Sequence, residues 1–538
     1  MSIFINGKVV TLDDTLKIAS AFKVKNGRFS AIGNDDSILE MKEDCEEVVD
    51  LGGKTVLPGF NDAHLHFLSY AITKNSVDLT KVTSIDNLIH TVKEFIKERS
   101  IKDGEWIVSR GWNENFWDTP TLPSRYDLDK ISKTHPIYFS RACGHLGVTN
   151  SLALKALNID NTTPNPDGGI IDRKDGEPTG ILRENALNAA LEYLQPMSKE
   201  KIKTLLSSAF IDALSVGLTS ISTEDIWQSG SIENTIEAYE ELKNEGLLPI
   251  RIVQQMYLPD NKSFETCKRM SLKTGYGDDF FKIGPMKLFQ DGSLGGRTAA
   301  MEEEYSDTKT KGVSIHNEKS LKELIHKGHD NGFQICAHSI GDRSMRELFD
   351  VYDGIYDSTN KDLRFSIIHC QFTNENLLKR FKNKNILANV QPSFVMTDYP
   401  IVEKAVGKER AKTSYAWRSL RSNSIHTVFS SDAPIESFNP FEGIYAAVTR
   451  KNLKGSPSEG WNTHECISVE DALKSYTLEP AYSNFEENKK GTISTDKLAD
   501  FIVISHDILE IPADDIKDIT VLETYVNGER KYKKQMEN

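Results

Sequence analysis

Nowhere in its 538 residues does the chain carry an apolar run near the ~20 residues that cross a bilayer, so no membrane anchor or membrane partner is expected. Its first residues, Met1-Ser-Ile-Phe-Ile-Asn-Gly-Lys8, lack the charged start and long apolar core of a secretory signal. Cysteine is sparse. The six (Cys45, Cys143, Cys267, Cys336, Cys370, Cys466) never fall at Cys-x-x-Cys spacing, which excludes a disulfide framework and a structural zinc site. Reduced, mostly buried thiols in a cytoplasmic protein are the expectation. Basic clusters are missing as well. Lys and Arg number 65 against 79 acidic residues, for a net charge of −14, and their scatter excludes a nucleic-acid footprint. There is no internal repeat and no low-complexity tract, and only residues 533–538 lack the pattern of ordered chain. At 38% hydrophobic and 27% charged, the composition is that of a globular enzyme with a small-molecule substrate. A homodimer is the default for such a protein.

What is present is a repeated alternation. Residues 1–57 read as short strands with turns at Asn26-Gly27 and Gly52-Gly53, and residues 485–538 read the same way around Asn527-Gly528. Neither end carries enough apolar surface for its own core, so the two are expected to meet in one composite β-sandwich. Between them, residues 58–484 alternate apolar strands with amphipathic helices, the pattern of a parallel α/β fold. Eight strands are expected, at 56–66, 218–223, 250–256, 283–289, 334–338, 365–370, 386–391 and 427–432. Eight close a (β/α)8 TIM barrel. One connection is oversized: residues 70–205 insert strand patterns at 106–112 and 136–141 and helix patterns at 151–157 and 182–194.

The chemistry-bearing residues sit where these strands end. The run Leu57-Pro-Gly-Phe-Asn-Asp-Ala-His-Leu-His66 closes on His64 and His66, which period-two alternation puts on one strand face, where two imidazoles can hold a divalent metal. Later strands end at His338, His369 and Asp432. Lys287 lies inside the fourth, where a lysine is costly unless it is neutralised or paired. Active sites of this fold are assembled from such strand ends.

These segments resemble the amidohydrolase superfamily of metal-dependent hydrolases, nearest to its amidohydrolase-3, YtcJ-like branch, which includes N-substituted formamide deformylases. The resembling motifs are the His64–His66 segment, Lys287-Leu-Phe-Gln-Asp-Gly-Ser-Leu-Gly-Gly-Arg-Thr298, Ala337-His-Ser-Ile-Gly-Asp342, Ile368-His-Cys-Gln371 and Ser431-Asp-Ala-Pro434, together with a tail at Lys490-Gly-Thr and Leu498-Ala-Asp-Phe-Ile-Val503. The resemblance covers nearly the whole chain. It implies two divalent ions, usually zinc, with His64, His66 and Asp432 on the more buried one and His338 and His369 on the other. Lys287 would carry a carbamate made from carbon dioxide and bridge both. The implied reaction is hydrolysis of a non-peptide carbon–nitrogen bond by a metal-bridging hydroxide, with Asp432 moving the proton. The branch often has an acidic residue where this chain has Ile368.

Other candidates are weaker. Asp291 and Arg297 flank a Gly-rich loop that lacks the Gly-Lys-Ser/Thr of a nucleotide site, and they are read as substrate contacts. His145, in Arg141-Ala-Cys-Gly-His145, is a catalytic candidate that could orient a carbonyl. Trp112 and Trp117 read as pocket wall or core, with Trp112 taken as a substrate contact, while Asp62 and Glu184 read as supporting residues. Three alternatives stay open: a deaminase, against which Lys287 argues; an isomerase on the same barrel; and an inactive scaffold, which would be free to lose ligands.

Overall fold

The structure, a computed structural model, describes residues 2–44, 46–142, 145–359 and 361–535. Cys45, Cys143 and the end of the tail, Met536–Asn538, lie outside the described residues. Two compact units divide the chain: Met1–Phe67, Leu206–Gln228 and Thr235–Asn538 form one, and Leu68–Leu205 with Ser229–Asn234 form the other. Among the described residues no helix is long and apolar enough to cross a membrane.

The first unit holds the barrel. Its strands are β1 (Phe60–Leu65), β2 (Leu218–Thr223), β3 (Arg251–Tyr257), β4 (Phe281–Phe289), β5 (Ile335–Ser339), β6 (Ser366–His369), β7 (Leu387–Val390) and β8 (Thr427–Phe429), lying side by side in that order. Every adjacent pair is parallel. The ring closes just beyond β8, where Asp432 N–H donates to His64 O at 2.9 Å and His66 N–H donates to Ala433 O at 2.8 Å. Strands buried on both faces read as continuous apolar runs, and β2 is buried along its whole length. Outside the strands run helices such as Glu318–Asp330. Asn317 caps it by accepting from Ser320 N–H, and Leu321 and Ile325 are buried at four-residue spacing. The eight-stranded TIM barrel read from the sequence is therefore what the chain forms.

One expected strand divides. Residues 56–66 form Thr55–Pro58, which pairs antiparallel with Phe501–Ile504, and then β1 of the barrel. The joint is Gly59. A Cβ there would lie 2.3 Å from Thr219 Oγ1, a separation real Cβ atoms do not tolerate, so the chain crosses from sheet to barrel only where a side chain is missing. Strands from both ends of the chain share a six-stranded sheet, which faces a four-stranded one. Across them Phe4 meets Phe501 edge-on at 5.1 Å and Phe22 meets Phe501 at 5.0 Å. Each such buried ring contributes about 1.5–3 kcal/mol over an exposed one. Asp500, just before Phe501, takes Arg251 of β3 in a buried bidentate pair at 2.6 and 2.8 Å, which fixes the terminal sheet to the barrel.

The second unit is built on a five-stranded sheet of order Gly169–Lys174, Glu177–Glu184, Leu146–Thr149, Ile137–Arg141, Ile107–Trp112. The helix expected over 182–194 starts later, as Asn188–Leu194, after a short 3-10 turn. Ile181 and Leu182 instead pair with Leu146–Thr149, because Asp175 and Gly176, both at positive φ, turn the chain into a hairpin. Trp112 is wholly buried in this unit's core with Leu79, Leu88, Val92 and Phe139, and Trp117 is in the same core. The structure thus places Trp112, expected as a substrate contact, among the packed residues of this core.

Candidate metal centre

His64 is near the end of β1 and His66 just past it, His338 is the penultimate residue of β5, His369 ends β6, and the turn after β8 holds Asp432. The barrel brings these to one place. The ligand atoms of His64, His66 and Asp432 lie within 4.8 Å of one another, with Asp432 Oδ1 3.4 Å from His64 Nε2 and 3.3 Å from His66 Nε2. Ring centroids are 6.4 Å apart for His64 and His369 and 4.4 Å apart for His369 and His338, so the four imidazoles form one continuous group. Backbone φ is +83° at His369, +47° at Cys370 and +59° at Asp432. These left-handed values turn the chain sharply where the ligands project.

Neighbours fix how each ring presents itself. Nδ1 of His64 meets Gln255 Oε1 at 2.7 Å, and Nδ1 of His369 meets Gln391 Oε1 at 2.7 Å. A glutamine oxygen can only accept, so both rings carry their proton on Nδ1 and have their lone pair on Nε2. His66 Nδ1 likewise meets Glu224 O at 3.0 Å. In His338 it is Nε2 that meets Gly292 O at 3.0 Å, which leaves Nδ1 as the free donor atom. Hydrogen-bonded partners of this kind orient metal-binding histidines.

Electrostatics agree with an ion-binding role. Burial pushes the imidazoles of His64 and His369 well below their ordinary pKa, so both rings are neutral. Burial opposes charge on His66 too, but Asp432 and Glu224 outweigh it and lift His66 to about 10, which marks a place that attracts a cation. Asp432 is buried, yet the His66 hydrogen bond and the surrounding imidazoles hold it well below the usual carboxylate range. Asp62 is raised to about 7 by burial. It accepts from the N–H of His64 at 3.1 Å and of Ser431 at 3.2 Å, fastening β1 to the end of β8. Lys287 is buried with Nζ 3.2 Å from His64 Nε2 and 4.4 Å from the Phe289 ring centroid, and burial depresses its pKa. Four imidazoles, a carboxylate and a lysine aimed at a histidine lone pair are a donor set suited to a borderline divalent ion such as zinc.

Comparison with known proteins gives this arrangement a family. The amidohydrolase family pattern matches residues 47–532. The chain belongs to the amidohydrolase family. YtcJ of Bacillus subtilis (strain 168) is 32% identical over 536 residues, covering 99% of each chain. The N-substituted formamide deformylase of Arthrobacter pascens is 26% identical, with 98% of each chain covered. Among solved structures, an uncharacterized metal-dependent hydrolase from Pyrococcus horikoshii OT3 superposes with a TM-score of 0.81 at 27% identity, over 95% of this chain and 99% of that one.

Within this amidohydrolase, two expected substrate contacts have other work. Both oxygens of Asp291 are occupied: Ile340 N–H donates to Oδ1, and Ala300 N–H, Gly341 N–H and Ser344 Oγ–H donate to Oδ2. Its Oδ1 also lies 3.4 Å from His338 Nε2, so it braces the turn after β5 and the His338 ring. Arg297 grips Asp307 through Nε and Nη2 at 3.0 and 2.7 Å and reaches Leu294 O through Nη1 at 2.7 Å. Its guanidinium is thus spent closing its own loop. His145 belongs to the second unit, where its Nδ1 meets Glu184 Oε2 at 2.9 Å and its side chain is largely exposed. Sequence reading missed Gln255, Gln391 and Glu224. The one signal for them was a polar residue in or beside an otherwise apolar strand, as at Gln254-Gln255.

Proposed function

We propose that this chain is a metal-dependent hydrolase of a non-peptide carbon–nitrogen bond, acting on an amide or an N-substituted formamide. The observation that carries this reading is the tautomer pattern: Gln255 and Gln391 each take one ring N–H and leave neutral, lone-pair-bearing nitrogens of His64 and His369 beside Asp432. Two zinc ions, held by His64, His66 and Asp432 and by His338 and His369, would polarise the substrate carbonyl and lower the pKa of water to about 7. Lys287, whose ammonium form is disfavoured by burial, would add through its neutral amine to carbon dioxide, giving up one proton to solvent water, and as a carbamate would supply a further carboxylate to the metals. Asp432, ionised and fixed by its backbone hydrogen bond to His64 O, accepts the proton of the attacking water and passes it to the departing nitrogen. The substrate class of the Arthrobacter pascens relative supports a formamide.

A hydrolysis screen over N-formyl amines, acyl amino acids, cyclic amides and carbamates, run with metal analysis of the same preparation, tests the proposal. The expected result is about two ions per chain and release of amine from the amide or formamide members, lost on chelation. Metal-replete protein that hydrolyses none of them would overturn it, as would ammonia release from a cyclic amidine.

A further inference from the structure

The helix Phe394–Ala411 starts against the metal centre, where Phe394 stacks on His369 at 5.9 Å between ring centroids. One helical turn on, about 6 Å along the axis, Asp398 shares that face. Tyr415 Oη–H donates to its Oδ2 at 2.5 Å, and Gln371 Nε2–H approaches the same oxygen at 3.5 Å. Beside it Glu436, four residues past Asp432, is held through Oε1 by Thr397 Oγ1–H at 2.7 Å. The two carboxylates are close enough that the charge of Asp398 raises the pKa of Glu436 beyond the effect of burial, with Glu442 adding to it. No lysine or arginine among the described residues stands within ion-pair reach of either.

Each carboxylate is thus anchored through one oxygen by a hydroxyl and keeps the other free. Gln371 supplies a second, independent observation. It is 2% exposed, its amide nitrogen is turned to Asp398, and its Oε1 has no hydrogen-bond partner. Two negative charges without a cation and a buried acceptor without a donor are costly to hold beside a reaction centre. They are three acceptors: Asp398 Oδ1, Glu436 Oε2 and Gln371 Oε1. A primary ammonium carries three N–H donors.

We propose that Asp398, Glu436 and Gln371 form a subsite for a primary ammonium on the substrate, so that the preferred substrate is an amide or formamide carrying a cationic amine at the far end of its N-substituent. The inference rests on the carbon–nitrogen hydrolase reading. It deepens that reading by assigning the substrate's charge and the residues that read it. Asp398 and Glu436 are half-buried, so a charged hydrogen bond to either is stronger than one in open water, and Tyr415 and Thr397 hold the carboxylates in place before the ligand arrives.

The test uses metal-loaded full-length protein and two matched series of graded length: ω-aminoalkyl formamides, and n-alkyl formamides in which a methyl replaces the ammonium. The wild type is expected to favour the cationic series in kcat/KM by about tenfold or more, the scale of a charged hydrogen bond. Asp398→Asn or Glu436→Gln is expected to lower that ratio about tenfold. A ratio unchanged by both variants, or an equal fall in both series, would overturn the subsite. Should neither series be turned over, the formamide reading fails and calorimetry decides the subsite separately. Binding of n-butylammonium but not 1-butanol, weakened tenfold or more in the double variant, supports it, and absent or undiminished binding refutes it.

Discussion

Replacing Gln255 with leucine removes one hydrogen-bond acceptor from the metal centre and little else. In the wild type Gln255 Oε1 accepts from His64 Nδ1–H at 2.7 Å, while Gln255 Nε2–H donates to Ala63 O at 3.1 Å. Ala63 O also receives Asn389 Nδ2–H at 3.2 Å, so it keeps a donor in the variant and the lesion falls on the His64 ring. That ring is fully buried, so its orphaned N–H costs about 1–3 kcal/mol. The imidazole can escape part of that cost by moving its proton to Nε2, which removes the lone pair a metal needs. Both routes weaken metal binding. The expected loss in affinity is about 10- to 100-fold, the usual range for a hydrogen-bonding partner of a metal ligand. Competition against a chromophoric chelator at fixed pH measures it, and thermal unfolding of the metal-free protein checks that the barrel is intact. Gln255→Glu restores an acceptor at the same position and should recover most of the affinity. A leucine variant that binds zinc as tightly as the wild type would refute the reasoning, and so would a glutamate variant as impaired as the leucine one.

His64→Ala or His66→Ala should abolish activity and lower metal content by elemental analysis, because each removes a ligand from the group around Asp432. Lys287→Ala should lose metal and activity and regain part of both when short carboxylic acids fill the vacated space; a density map showing an unmodified amine beside fully occupied metals would refute the carbamate. Asp432→Asn should lower kcat by roughly 100-fold or more while metal content falls less. A fully metallated variant within a few-fold of wild type would mean that a residue other than Asp432 moves the proton. Glu486 is buried, but Lys490 at 2.9 Å and Lys282 at 2.7 Å hold its pKa down to about 2 from 4.5. Its ionised form therefore stabilises the fold above pH 4.5, and that contribution, on the order of 3 kcal/mol, is lost as pH falls toward 2. Acid-unfolding curves of Glu486→Gln should be flatter over that window, and the variant should be less stable at neutral pH by about 3–5 kcal/mol.

The barrel was legible because a strand buried on both faces leaves a run of apolar residues that stops at the mouth, and here the stopping residues are His338, His369 and Asp432. Lys287 was legible as an anomaly inside such a run. What the pattern could not carry is anything decided by a partner distant in sequence. Pro58-Gly59 fits a continuous strand as well as a crossover, and the approach of Thr219 decides between them. Residues 182–194 have helical periodicity throughout, yet the hairpin at Asp175-Gly176 takes the first of them into a sheet. Arg297 stands at the mouth on any reading, but only the fold shows that Asp307 has already taken its charge. Gln255 and Gln391 show in the sequence only as polar residues in or beside apolar strands, because the rings they meet, His64 and His369, come from other strands.

The metal centre and the closure of the barrel are the same piece of structure. Asp432 adopts φ +59° and His369 φ +83°, conformations that cost a non-glycine residue about 1–3 kcal/mol and persist only where the surroundings over-determine them. At Asp432 the determining contact is its own N–H to His64 O at 2.9 Å, reinforced by His66 N–H to Ala433 O at 2.8 Å. Those two bonds join the end of β8 to β1 and so complete the ring. They also fix the Asp432 carboxylate against the two imidazoles it faces. After β6, Cys370 N–H donates to Ser339 O at 3.2 Å, tying the turn that aims His369 to the strand that ends beside His338. The strain at Asp432 and His369 is therefore sustained by backbone bonds the fold needs anyway, so these candidate ligands are held in position by the closed ring itself. A substitution that loosens the seam between β8 and β1 should consequently lower metal affinity even when every ligand is retained.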